Sequence, residues 1–339
     1  MSETDASVGN VRRRTVLTVG ATTAAVGAVA VVASRSGWLG ETPSPAASPS
    51  AAATGHPTQP ATPIDPASVI RVDADGTPHA DLPVWTPRGF RSVVELLATD
   101  GVTIAHRGSS TRYPEASFVA YTDAVLRGYG ALEVSVARTS DGVLFGLHDA
   151  TLDRTSLGAN TATLTASSLT WAQVQRWQNA TGDEHSPAPY LKLDDLIAAF
   201  GQTHVFMLDP KAIGPGAPLD AFFDAALALG PDRVMLKFAG TGHPKLAAFA
   251  QANRFATWGF FYPEDVANGT FDAQQANWSV LGLSLDADQA TWDRVKATGK
   301  RVYGHIALSQ AQYDRARLQG ADGVMVGAPH LVRAVGAGR

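Results

Sequence analysis

The run GALEVSVARTSDGVLFGLHD, residues 130–149, holds two β-rich segments, ALEVSV (131–136) and VLFGLH (143–148), on either side of RTSDG (138–142). Strand side chains alternate between faces, so Glu133 and Ser135 point the same way. A crossover between parallel strands needs a dozen or more residues, and RTSDG is far too short for one. One of the two segments must therefore leave the pattern that surrounds the run, as an excursion at the rim of the fold.

That surrounding pattern is strand then helix, repeated. VTIAH (102–106) reads as a strand. The amphipathic ASFVAYTDAVLRGYG (116–130) follows, with Phe118, Val119, Val125 and Leu126 at helical spacing and Gly128 and Gly130 at the stop. Downstream, the helical runs LKLDDLIAAFG (191–201), APLDAFFDAALALG (217–230), HPKLAAFAQAN (243–253), QATWDRVKATG (289–299) and SQAQYDRARLQG (309–320) alternate with strands. Those strands are HVFMLD (204–209), RVMLKF (233–238), FATWGFF (255–261), VLGLSLD (280–286), RVYGHI (301–306) and DGVMVG (322–327). Apolar strands in repeated strand–helix units imply a mainly parallel sheet covered by helices. About 240 residues with this many units match an α/β fold of the (β/α)8 barrel type. Nine strands are predicted, one more than a barrel needs, and the surplus falls at RTSDG. A doubly wound open sheet is the alternative architecture. No Gly-x-Gly-x-x-Gly follows the first strand, so dinucleotide binding has no support.

The chain has 339 residues, 45% of them hydrophobic, enough for a sizeable core. Its net charge of -4 offers no basic excess for nucleic-acid phosphates. The absence of cysteine excludes disulfides and thiolate metal sites. At the N-terminus, Arg12, Arg13 and Arg14 precede the apolar run Val16 to Ala33. This is export-signal chemistry, and Arg13-Arg14-Thr15-Val16-Leu17 resembles a twin-arginine signal. Residues 1–35 are therefore expected to be a signal read by export machinery or an uncleaved anchor. The expected location is extracytoplasmic, secreted or membrane-anchored. Residues 36–75, rich in Pro, Ala, Ser and Thr, read as a disordered linker, and 76–339 as the barrel domain.

In a barrel the chemistry sits at the C-terminal strand ends. Those ends carry His106-Arg107, Glu133 with Ser135, His148-Asp149, Asp209 with Lys211, Lys237 and His305. Two histidines, His106 and His148, suit proton transfer near neutral pH. Arg107 and Lys211 suit an anionic oxygen group. Glu133 and Asp209 suit a hard divalent cation, although Glu133 could equally hold Arg107.

With these residues in place, the sequence resembles the glycerophosphodiester phosphodiesterase family. AHRGSSTRYPEASF supplies the family's His-Arg-Gly and Pro-Glu as His106, Arg107, Gly108, Pro114 and Glu115. The run from Glu133 to Thr155 supplies Glu133, Asp141-Gly142, His148-Asp149, Leu152 and Arg154-Thr155. MLDPK supplies the later strand end as Asp209 and Lys211, and DGVMVGAPH (322–330) resembles the closing strand. The resemblance implies a barrel that hydrolyses glycerophosphodiesters to glycerol 3-phosphate and an alcohol. It implies His106 and His148 as acid and base, Arg107 and Lys211 on the phosphate, and Ca or Mg on carboxylates that include Glu133 and Asp209.

Five positions depart from the family pattern. Its second carboxylate after Glu133 is Ser135, its later Glu is Asp209, its Asp on the last strand is Gly327, its Asn after Pro-Glu is Ala116, and its Trp-Thr is Tyr303-Gly304. Fewer anionic ligands predict weak binding of Ca or Mg, because hard cations depend on ligand charge. No organic cofactor is implied. The expected partner is a small phosphodiester or phospholipid-derived substrate. Two alternatives stand beside an altered hydrolase: a barrel that binds phosphodiesters without cleaving them, and a phosphodiesterase for another phospholipid headgroup.

Overall fold

The computed structural model describes residues 89–156, 164–182, 187–214, 217–242 and 244–336. The expected signal (1–35) and linker (36–75) lie outside the described residues, as does the start of the expected barrel domain.

Eight parallel strands close into a barrel. They are β1 (Val102–His106), β2 (Ala131–Arg138), β6 (Val205–Ala212), β7 (Val234–Ala239), β8 (Ala256–Phe261), β9 (Val280–Ser284), β10 (Arg301–Ala307) and β11 (Gly323–Val326). The order runs β1-β11-β10-β9-β8-β7-β6-β2, and the β1–β2 pairing closes the ring. The open doubly wound sheet is thereby set aside. The surplus strand is β3 (Leu144–Gly146), which folds back antiparallel on the end of β2, as the short RTSDG turn requires. It begins an excursion, extending to the two-residue pair β4 (Gln178–Asn179) and β5 (Ala188–Pro189). This segment has its own apolar cluster, in which Phe145 packs on Trp171 and Tyr190.

Period-two alternation decides which side chains fill the barrel. Val102, Ile104, Ala131, Val205, Met207, Met235, Trp258, Val280, Tyr303 and Met325 form one buried cluster. Trp258 fits because its neighbour is Gly282, where a Cβ would lie 2.4 Å from the indole nitrogen. The helix Val93–Ala98, which the strand–helix pattern did not reveal, adds Val93 and Leu96 to this cluster beside Phe90. Their contacts with Gly130 and Asp232, at the starts of β2 and β7, put this plug at the N-terminal mouth. The opposite mouth is left for the polar strand ends. Outer helices start where the sequence supplies an oxygen to hold the first free N–H groups: Ser117, Asp288 and Ser309 each accept a bond from the third residue onward.

The expected location needs correction. Among the described residues no helix is long and apolar enough to cross a membrane, so none of them supplies the expected anchor. The Val16–Ala33 run behind the extracytoplasmic expectation lies outside the described residues.

Candidate active site

β1 ends at His106, and the chain then turns sharply. Arg107 and Gly108 both have positive φ, 51° and 77°. Glycine is needed at 108, because a Cβ there would lie 2.6 Å from the Ala120 backbone. Arg107 is held in this uncommon conformation from both sides. Its N–H donates to Glu133 Oε2 (3.1 Å), and its carbonyl accepts from Ala116 N (2.9 Å). Ala116 also has positive φ, 54°, a conformation that Asn tolerates better than Ala. This explains physically why the Pro-Glu-Asn pattern favours Asn at that position.

The Arg107 side chain does not reach Glu133. Its guanidinium donates to both oxygens of buried Glu115 at 3.2 and 3.3 Å. Arg154 donates to the same carboxylate at 2.7 and 3.0 Å, and through Nε to Asp149 at 2.6 Å. Asp149 in turn meets His148 Nδ1 at 2.6 Å. Glu115 is thus the centre of a chain that runs from the phosphate-binding candidate Arg107 to the proton-transfer candidate His148. Burial pushes the Glu115 carboxyl up, but the Arg107 charge and the Arg154 hydrogen bonds outweigh it and hold the pKa at about 2.

His106 is buried, and burial, followed by the charges of Arg107 and Lys237, drives its pKa well below the usual histidine range. His148 is lowered by burial and by Arg107, with its Asp149 hydrogen bond working the other way. Both imidazoles are therefore neutral at neutral pH, and each lies within electrostatic reach of Arg107. Lys211 follows on β6. Burial lowers its pKa while the Asp209 charge raises it, and its Nζ sits 4.6 Å from the centre of the Phe260 ring.

On the barrel axis, Glu133, Ser135 and Asp209 are buried, with Ser135 registered against Asp209 across the β2–β6 pair. Ser135 Oγ donates to Glu133 Oε1 (3.1 Å). Between the two carboxylates stands Lys237 from β7, whose Nζ donates to Glu133 Oε1 (3.1 Å) and Asp209 Oδ2 (2.6 Å). It also lies 4.7 Å from the Phe260 ring centre, so Phe260 carries an ammonium from each of two lysines. Phe260, Tyr262 and His305 form an aromatic wall with edge-on contacts between 5.5 and 6.2 Å. Sequence reading placed Lys237 at a strand end but gave it no role. The available signal was its register: it faces inward in phase with Met235, where a lysine needs a partner.

Residues 106–213 match the glycerophosphoryl diester phosphodiesterase family. Over this stretch the chain is similar to that family. A protein of Mycobacterium tuberculosis named "probable glycerophosphodiester phosphodiesterase 1" is 36% identical over 107 residues, 31% of this chain and 39% of that protein. The glycerophosphodiester phosphodiesterase of Bacillus subtilis is 28% identical over 134 residues, 38% of this chain and 46% of that one. The matches thus span less than half the length of these curated relatives. Solved structures share the fold over a longer stretch. A glycerophosphoryl diester phosphodiesterase from Parabacteroides distasonis superposes with a TM-score of 0.56 at 16% identity, covering 72% of this chain and 91% of that one. An Oleispira antarctica phosphodiesterase, solved with its product sn-glycerol-3-phosphate, gives 0.54 at 17% identity, covering 68% and 94%.

The family resemblance implies a divalent cation on Glu133 and Asp209. As arranged here, these residues do not fit one. Both Glu133 oxygens already accept hydrogen bonds, and Asp209 keeps only Oδ1 without a donor. A divalent cation binding both carboxylates would lie against the Lys237 ammonium, and a hard cation calls for about six or more oxygen ligands. Among the described residues no group of three His, Asp or Glu side chains could hold a metal ion.

Proposed function

We propose that this protein hydrolyses glycerol-based phosphodiesters to a glycerol phosphate and an alcohol. The observation that carries this reading is a pair of neutral histidines at one barrel mouth, with Arg107 and Lys211 beside them. His148, its Nδ1–H donating to Asp149, presents Nε2 as a base. It takes the proton of the glycerol hydroxyl next to the phosphate. That oxygen bonds to phosphorus, the bond to the leaving alcohol breaks, and His106 protonates the departing oxygen. For this role His106 takes up a proton from solvent when the anionic diester binds beside it, because a nearby negative charge favours the protonated imidazole. Water then opens the cyclic phosphate with the histidine roles reversed, so one water is consumed overall. Arg107 and Lys211 offset the charge on the phosphoryl oxygens, the main demand in phosphoryl transfer. The family match and the glycerol 3-phosphate product of the Oleispira relative support this substrate class.

The test is turnover of a panel of glycerophosphodiesters and other phospholipid headgroup diesters by the full chain and by His106→Asn and His148→Asn. Absence of turnover, or turnover unaffected by both substitutions, refutes the proposal. Binding of diesters without cleavage would favour the phosphate-recognising scaffold.

A further inference from the structure

The Lys237 ammonium is built into the centre of the site. Glu133, Asp209 and Lys237 come from three neighbouring strands, β2, β6 and β7, and their side chains are 0%, 0% and 5% exposed. An ammonium has three N–H donors. Two are used on Glu133 and Asp209, and the third remains for an incoming oxygen. The ring of Phe260 at 4.7 Å and that of Trp258 at 5.7 Å hold the ammonium in place. Ser135 supports the arrangement. A carboxylate at this position would put a third negative charge beside one ammonium, whereas the hydroxyl donates to Glu133.

We infer that Lys237 is the resident cation of this site, a tethered ammonium that occupies the place between Glu133 and Asp209 and supplies positive charge to a bound phosphoryl group, so that the site works without a divalent ion.

The charges favour this. Four carboxylates (Glu115, Glu133, Asp149 and Asp209) share the site with four cations (Arg107, Arg154, Lys211 and Lys237). With both histidines neutral, the set is balanced before a singly charged diester arrives. A divalent ion would add two positive charges and sit against Lys237. What the ammonium is for rests on the phosphodiester reading above. That it fills the cation position does not.

The experiment uses Mn2+ as probe, with the free ion followed by electron paramagnetic resonance, alongside turnover of a glycerophosphodiester with and without EDTA. The wild type is expected to show no saturable Mn2+ binding at millimolar concentration and turnover insensitive to EDTA. Lys237→Met should slow turnover by about 10²–10³-fold, the usual loss for one preorganised electrostatic group. The double variant Lys237→Ser, Ser135→Asp should gain saturable Mn2+ binding. Wild-type Mn2+ binding that disappears in Glu133→Gln overturns the inference, as does EDTA-sensitive turnover. If no diester is cleaved, the phosphodiesterase reading fails, while the Mn2+ measurement still decides the role of Lys237. If the variants do not fold, the two wild-type measurements decide it alone.

Discussion

Glu115→Gln tests the chain of contacts that positions Arg107 and His148. The Glu115 side chain is 8% exposed and receives two guanidinium groups. Its carboxyl is held at about 2 against an ordinary value of 4.5. Each pKa unit corresponds to about 1.4 kcal/mol, so the ionised carboxylate contributes about 3 kcal/mol to folding at pH 7. Arg154 is 46% exposed, and solvent screens the pair on that side, so this is a ceiling. The sign follows from the depressed pKa. The contribution is fully present above the unfolded carboxylate pKa and disappears as pH falls through the folded one. The wild-type advantage over Glu115→Gln should thus be about 3 kcal/mol at pH 7 and about 1.5 kcal/mol at pH 3, vanishing below pH 2. Urea unfolding of both proteins across this range measures it. A difference under about 1 kcal/mol at pH 7, the size of an exposed surface pair, refutes the reasoning. So does a difference that stays constant with pH.

Three further outcomes are expected. Gly108→Ala forces a side chain into a positive φ and against the Ala120 backbone at 2.6 Å, and should cost about 3 kcal/mol in chemical denaturation; unchanged stability would show that the turn is not as described. Asp149→Asn removes the partner that raises the His148 pKa, so the acid limb of the kcat/KM profile should move to lower pH while kcat falls; a limb that stays in place removes His148 as the titrating base. Phe260→Leu keeps the apolar volume but removes the ring facing Lys211 at 4.6 Å and Lys237 at 4.7 Å, and should raise KM for a diester by about fivefold, equivalent to about 1 kcal/mol of cation–π contact; an unchanged KM argues that neither lysine is held by the ring.

Much of the barrel was legible because its signals are local. Strand alternation put Glu133 and Ser135 on one face, and the short RTSDG turn called for an excursion at the rim, which the structure shows as the antiparallel β3. His106, His148, Arg107 and Lys211 stood out as candidates because each lies at or just past the end of a strand predicted from the sequence. The helix Val93–Ala98 was missed because it precedes the first strand and has no partner in the repeat. The helices Pro263–Ala267 and Thr270–Gln274 were missed because five residues are too few for helical spacing to show.

Contacts across the ring could not be read in that way. Glu133 and Lys237 are 104 residues apart, and only closure of eight strands brings them to 3.1 Å. Sequence reading assigned Glu133 and Asp209 to an external cation and allowed Glu133 to hold Arg107. In the folded chain the Arg107 guanidinium goes to Glu115, and an internal ammonium stands between Glu133 and Asp209. Local pattern specifies which side chains face inward, because alternation is a property of one strand. Which inward-facing charges neutralise one another depends on the distances set by all the strands together, and those exist only in the closed barrel.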